Sequence, residues 1–179
     1  METLNELKVA AFRNAIKLFR DACLLAEHGR KETAYAIAVL AYEEIGKAAL
    51  ADRQLDRACL NPGAESFARE AMLDSLKNHS VKQAWAAWDT DSPSSEHLKS
   101  LNQKKNQALY VGYDGDKVSI PKVGEKELCE LLREALRALK GLEDVPYYGV
   151  AGLSTEKSRW QAKADIQSLE HDLERVKCL

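Results

Sequence analysis

The chain has 179 residues, 45% of them hydrophobic and 30% charged, with a formal net charge of −2 at neutral pH. That length supports one domain with a substantial core and leaves little room for a second. A near-neutral balance excludes a generally basic nucleic-acid coat, although a local basic site remains compatible with it.

The four cysteines, Cys23, Cys59, Cys129 and Cys178, show neither C-x-x-C spacing nor a histidine at zinc-ligand distance. The spacing therefore predicts no disulfide and no structural metal, and no motif calls for a cofactor. The start, METLNELKVA, lacks both a basic opening and an apolar signal core, and no apolar run approaches membrane-spanning length. These features predict a cytoplasmic, reduced protein without a membrane partner.

Val9, Phe12, Ile16, Phe19, Cys23 and Ala26 recur at spacings of three and four, with Lys8, Arg13, Lys17 and Arg20 outside the stripe. This predicts an amphipathic first helix. The stretch EHGRKET then supplies a glycine stop and a restart near Lys31 or Glu32, so the second helix runs back antiparallel to the first. In that second helix, AYEEIGKAAL places Glu43, Glu44 and Lys47 in a run of small and apolar residues. Successive residues on a helix point about 100° apart, so one glutamate can face inward while its neighbour faces solvent. Either can meet Lys47, three or four residues on. A surface ion pair is the plainer reading, but the surrounding alanines favour a polar site within a bundle.

A third helix is predicted from near Glu65 to about Trp88, through Phe67, Met72, Leu76, His79 or Ser80, and Ala84. His79 falls on or beside its apolar stripe, with Lys82 three residues further, and Trp85 and Trp88 read as packing residues. Ser92 as N-cap and Pro93 as first helical residue open a fourth helix, from roughly Ser94 to Leu109. Its end, LNQKKNQALYVGYDG, gathers Lys104, Lys105, Asn106 and Gln107 ahead of Tyr110. Lysine and asparagine can hold phosphate oxygens, and tyrosine can stack on a base or donate a proton. Lysines near a helix C-terminus followed by a packed tyrosine are the structural alternative.

Between 110 and 121 the periodicity changes, and the Asp114-Gly115 dipeptide predicts a short β-hairpin or loop. Leu128, Leu131, Leu132, Ala135, Leu136 and Leu139 restore helical spacing up to Gly141, and DVPYYGVAGLS reads as a linker. Ala162, Ile166, Leu169, Leu173 and Val176 mark a last helix, 155–178, which closes its own core or lies across a partner subunit. The fold class is all-α: a single-domain bundle of about five to six helices, 1–179, with one non-helical insertion.

AYEEIGKA, NHSVK and KNQALYVGYDG, in this order and followed by SIP, resemble the AbiV family of bacterial abortive-infection proteins, part of the HEPN superfamily of helical domains. The resemblance covers roughly Ala10 to Leu139. It implies a dimeric bundle acting in phage defence, with RNA or a translation component as target and a phage-encoded protein as trigger. Many HEPN domains are metal-independent ribonucleases with an arginine, often an asparagine after it, and a histidine beyond four intervening residues, plus a glutamate from an earlier helix. On this chain Lys105 takes the arginine position, Asn106 the asparagine and Tyr110 the histidine, while Glu43 or Glu44 stands for the acid.

Gly112 stands where the family has an aspartate. An imidazole titrates near pH 6.5 and a phenol near 10, so the tyrosine does not simply replace a histidine in proton transfer. A lysine also loses the planar fork that clamps phosphate. The catalytic set implied is Glu44 orienting Lys105, Asn106 positioning phosphate, and His79 or Tyr110 moving protons. Lys47, Lys82, Lys104 and Lys105 are the candidate RNA- or phosphate-binding residues. A non-catalytic HEPN protein-interaction module is the rival expectation, and a plain helical bundle with a chance motif match is the third.

Overall fold

The fold is taken from a computed structural model that describes residues 2–60, 65–87, 94–110, 112–113, 116, 118–119, 121–142 and 156–178. It is an all-α bundle with seven helices among these residues: α1 (Glu2–Glu27), α2 (Lys31–Leu60), α3 (Glu65–Lys77), α4 (His79–Ala86), α5 (Ser95–Leu109), α6 (Glu125–Gly141) and α7 (Glu156–Arg175). Two short strands, β1 (Gly112–Tyr113) and β2 (Val118–Ser119), pair antiparallel between α5 and α6. This is the predicted hairpin; its Asp114-Gly115 turn lies outside the described residues, as do Trp88, Ser92, Pro93 and the 144–154 linker.

α1 and α2 form the predicted helical hairpin. Gly29 turns the chain at φ +72°, a left-handed conformation that glycine adopts without a Cβ penalty, and its N–H closes on the Ala26 carbonyl at 2.9 Å. The expected stripe is buried at Phe12, Ile16, Phe19 and Cys23. Lys8 departs from the expectation. It is fully buried and pairs with Asp52 of α2 at 3.4 Å. Burial outweighs the attraction of Asp52 and lowers the Lys8 pKa, while the same burial raises that of Asp52.

The expected third helix is two helices. Asn78 leaves helical geometry at φ −98°, ψ 114°, and its side chain accepts from the Ser80 and Val81 amides, so it caps α4. α5 is capped by Ser94, whose Oγ accepts from the His97 amide at 3.1 Å, in place of the predicted Ser92. α6 buries its leucine stripe as predicted. α7 lays Ala162, Ile166, Leu169 and Leu173 into the same core as α1 and α6, so the final helix closes its own bundle.

The cysteine expectation is overturned by Cys129 and Cys178, which form a disulfide with a Cα–Cα separation of 5.0 Å. They are 49 residues apart in sequence, and only the return of α7 onto α6 brings them together. No helix among the described residues is long and apolar enough to cross a membrane.

Candidate functional site: a buried carboxylate ringed by cations

α2 is the spine of the bundle, in contact with α1, α3, α4, α5 and α6. Its middle is built from small residues, Ala38, Ala41, Ala48 and Ala49, which let neighbouring helices approach closely. The approach is tightest at Gly46, where an added Cβ would lie 1.7 Å from the Lys82 carbonyl oxygen. The absence of a side chain there lets α4 rest on α2 and brings His79, Lys82 and Gln83 over Glu43.

Glu43 is 3% exposed. Its Oε1 accepts from Lys105 Nζ at 2.8 Å and from Gln83 Nε2 at 3.3 Å. Its Oε2 faces His79 Nδ1 at 2.6 Å and Lys82 Nζ at 3.3 Å. A carboxylate has only acceptors, so the His79 proton in this contact sits on Nδ1. Burial pushes the Glu43 carboxyl up, but the Lys105 ammonium and the His79 ring outweigh it and hold the group below the ordinary carboxylate value.

Gln83 extends the network by donating to Asn102 Oδ1 at 3.1 Å, and Asn102 Nδ2 donates to Ser80 Oγ at 3.3 Å. Gln83 Oε1 is buried without a partner among the described residues.

Of the two adjacent glutamates, Glu43 reaches Lys105. Glu44, expected in that role, is paired with Lys47 on its own helix at the partly exposed edge of α2. The roughly 100° between neighbours puts one carboxylate beneath α4 and α5 and the other beside them. Lys82 and Lys105 are therefore brought together with His79, while Lys47 and Lys104 stand apart, the latter paired with Glu127 of α6.

Asn106 is exposed, and Tyr110, at the end of α5, is 67% exposed. Neither is among the groups that contact Glu43. The His79 side chain is 54% exposed and so joins the buried cluster to solvent. Gln83 and Asn102 were missed in the sequence, although Gln83 lies four residues after His79 and Asn102 three before Lys105, the spacings that share a helix face. Among the described residues no three His, Cys, Asp or Glu side chains gather as a metal cage.

A carboxylate so held can orient an imidazole, fix its tautomer and stabilise its charged form. The cluster sets one carboxylate against two ammonium groups, and the imidazole adds a further positive charge when protonated. It therefore carries a positive surplus next to an accessible imidazole ring.

No curated protein and no solved structure matches the chain. A model of the AbiV family of HEPN proteins matches residues 3–133, which span α1 through the first half of α6 and every residue of the Glu43 cluster. The chain belongs to the AbiV family of HEPN proteins.

Proposed function

We propose that this protein is an abortive-infection factor that arrests an infected cell by engaging RNA, either free or within the translation machinery, through the Glu43 cluster. The observation that carries this reading is the charge imbalance at that cluster, one carboxylate against Lys82 and Lys105. A phosphodiester is an anion that completes the balance. His79 is the accessible group suited to move a proton, and attack of a ribose 2′-hydroxyl on the adjacent 3′-phosphate, which loses its 2′-proton and expels the next nucleotide's 5′-oxygen as a hydroxyl, is a cleavage that needs no metal. The protein acts in the cytoplasm as a homodimer, with a phage-encoded protein as trigger.

A second reading, the non-catalytic HEPN interaction module, draws on a specific observation. Lys105, at the position of the superfamily's arginine, is occupied by Glu43, while Asn106 and Tyr110 face solvent. In that case the cluster holds the bundle in shape and the helical surface meets a protein.

Induced expression with total-RNA gels and pulse-labelled protein synthesis separates the two. Wild type is compared with His79→Ala, Lys105→Ala, Asn106→Ala and Tyr110→Ala variants of native helicity. RNA fragmentation that His79→Ala abolishes is the expected result for cleavage. Arrested synthesis with intact RNA, relieved by Lys105→Ala, fits RNA binding alone. Arrest indifferent to all four changes overturns the Glu43 cluster as the working site and favours the interaction module.

A further inference from the structure

α7 lies beyond the segment that matches the family model, and its fastenings differ in kind along its length. Towards its start, Arg20 of α1 donates to Asp165 at 3.4 Å and to Ser168 at 2.6 Å. Further on, Lys140 of α6 pairs with Glu170, and Arg175 Nε meets Glu27 Oε1 at 2.7 Å. These are solvent-screened pairs on partly exposed side chains, and such pairs hold weakly. Beneath them runs the apolar stripe from Ala162 to Leu173.

The covalent fastening is at the far end, and the chain is shaped to make it. Lys177 takes φ 59°, a left-handed conformation rare for a residue with a side chain, and closes the last turn with its N–H on the Glu174 carbonyl at 2.9 Å. That cap swings Cys178 inward, where its N–H reaches the Leu173 carbonyl at 3.3 Å and its own carbonyl accepts from Arg133 Nε at 2.5 Å. Cys178 is fully buried and bonded to Cys129 of α6.

A third cysteine lies under the same helix. Cys23 of α1 is a free thiol with no exposure, and Asp172 and Arg175 of α7 are among its nearby charges. Burial, reinforced by Asp172 and Glu27, pushes its thiol up to about 12, so it is unreactive while α7 covers it.

From this arrangement we propose that Cys129 and Cys178 are a reversible thiol–disulfide latch that locks α7 over α1, and that opening the latch uncovers Cys23. The reductant is a dithiol. One of its thiolates attacks a sulfur of the Cys129–Cys178 bond, the released cysteine takes up a proton, and the second thiolate resolves the mixed disulfide. Two electrons pass to the protein, which gains two thiols, and the reductant leaves as its own disulfide. α7 is then retained without a covalent tie, by its stripe, its partly exposed ion pairs and the Arg133–Cys178 hydrogen bond. Its C-terminal turn frays, and the Cys23 sulfur gains access to solvent.

The test uses the purified full chain, oxidised with diamide or reduced with dithiothreitol, together with Cys129→Ser. Peptide mapping reads the cross-link, hydrogen exchange reads α7, and iodoacetamide labelling is scored on the Cys23 peptide. The oxidised chain is expected to show the Cys129–Cys178 cross-linked peptide, protected amides across 161–175 and unlabelled Cys23. Reduction is expected to speed α7 exchange about tenfold or more, to label Cys23 and to leave α2 protected. Reoxidation restores the first state, and Cys129→Ser matches the reduced chain in both conditions. Absence of the cross-linked peptide after oxidation overturns the proposal. So does α7 exchange or Cys23 labelling that is the same in the oxidised and reduced chains.

Discussion

Gly46 and Lys82 meet backbone to backbone: the space a Cβ on Gly46 would occupy is already taken by the Lys82 carbonyl, 1.7 Å from that position. A carbonyl in the first turn of a helix cannot step aside as a flexible side chain can, so even one methyl group must push α4 off α2. Gly46→Ala is expected to destabilise the fold by about 3 kcal/mol, the upper part of the range for overpacking. Urea unfolding followed by circular dichroism measures it, and an unchanged midpoint would show that the helices are not in this contact.

Glu43 and Glu44 are predicted to respond very differently to the same change. Glu43→Gln leaves Lys82 and Lys105 buried without their carboxylate, and breaking a buried pair in this way costs on the order of 3–5 kcal/mol. Glu44→Gln loses a partly exposed pair with Lys47, worth below about 1 kcal/mol. Equal losses for the two variants in denaturant melts would contradict the assignment of Glu43 as the inward residue.

The depressed ionisation of Glu43 sets a direction for pH. A carboxyl that ionises more readily folded than unfolded contributes stability that is fully present above its ordinary value of 4.5 and is lost as pH falls through the lower folded value. Unfolding free energy measured from pH 7 down to 3 should therefore fall on the acid side for the wild type. Glu43→Gln should show a shallower decline in that window, and parallel curves would remove Glu43 as a contributor.

Asn78 accepts two amides at the start of α4, at 3.0 Å and 3.3 Å. Asn78→Ala is expected to cost about 1 kcal/mol and Asn78→Ser much less, since serine also caps. Hydrogen exchange at Ser80 and Val81 checks the mechanism. Their amides should lose protection first in the alanine variant.

The helical hairpin, the α5 end and the last two amphipathic helices were legible because apolar spacing and punctuation agreed there. The break at Asn78 was hidden, because Met72, Leu76 and His79 or Ser80 keep helical spacing across it and only the cap geometry ends the run. Lys8 falls outside the apolar stripe of its helix, and its burial depends on Asp52, 44 residues away. The choice between Glu43 and Glu44 needed to know where α4 and α5 cross α2. The disulfide was invisible for a related reason, since nothing local in either cysteine's surroundings announces the other.

The connection through Gly29 has a kinetic consequence. α1 and α2 are joined by residues 28–30, so their hairpin closes at little entropic cost, whereas α7 must return to α1 across the whole chain, as Arg20 and Asp165 do over 145 residues. Contacts between near neighbours form early and distant ones late. During synthesis the hairpin is therefore complete while α7 is still unmade, and the α1 groove around Ile16, Phe19 and Cys23 stays open until the last helix arrives. In that interval the nascent protein is most open to chaperones and to aggregation.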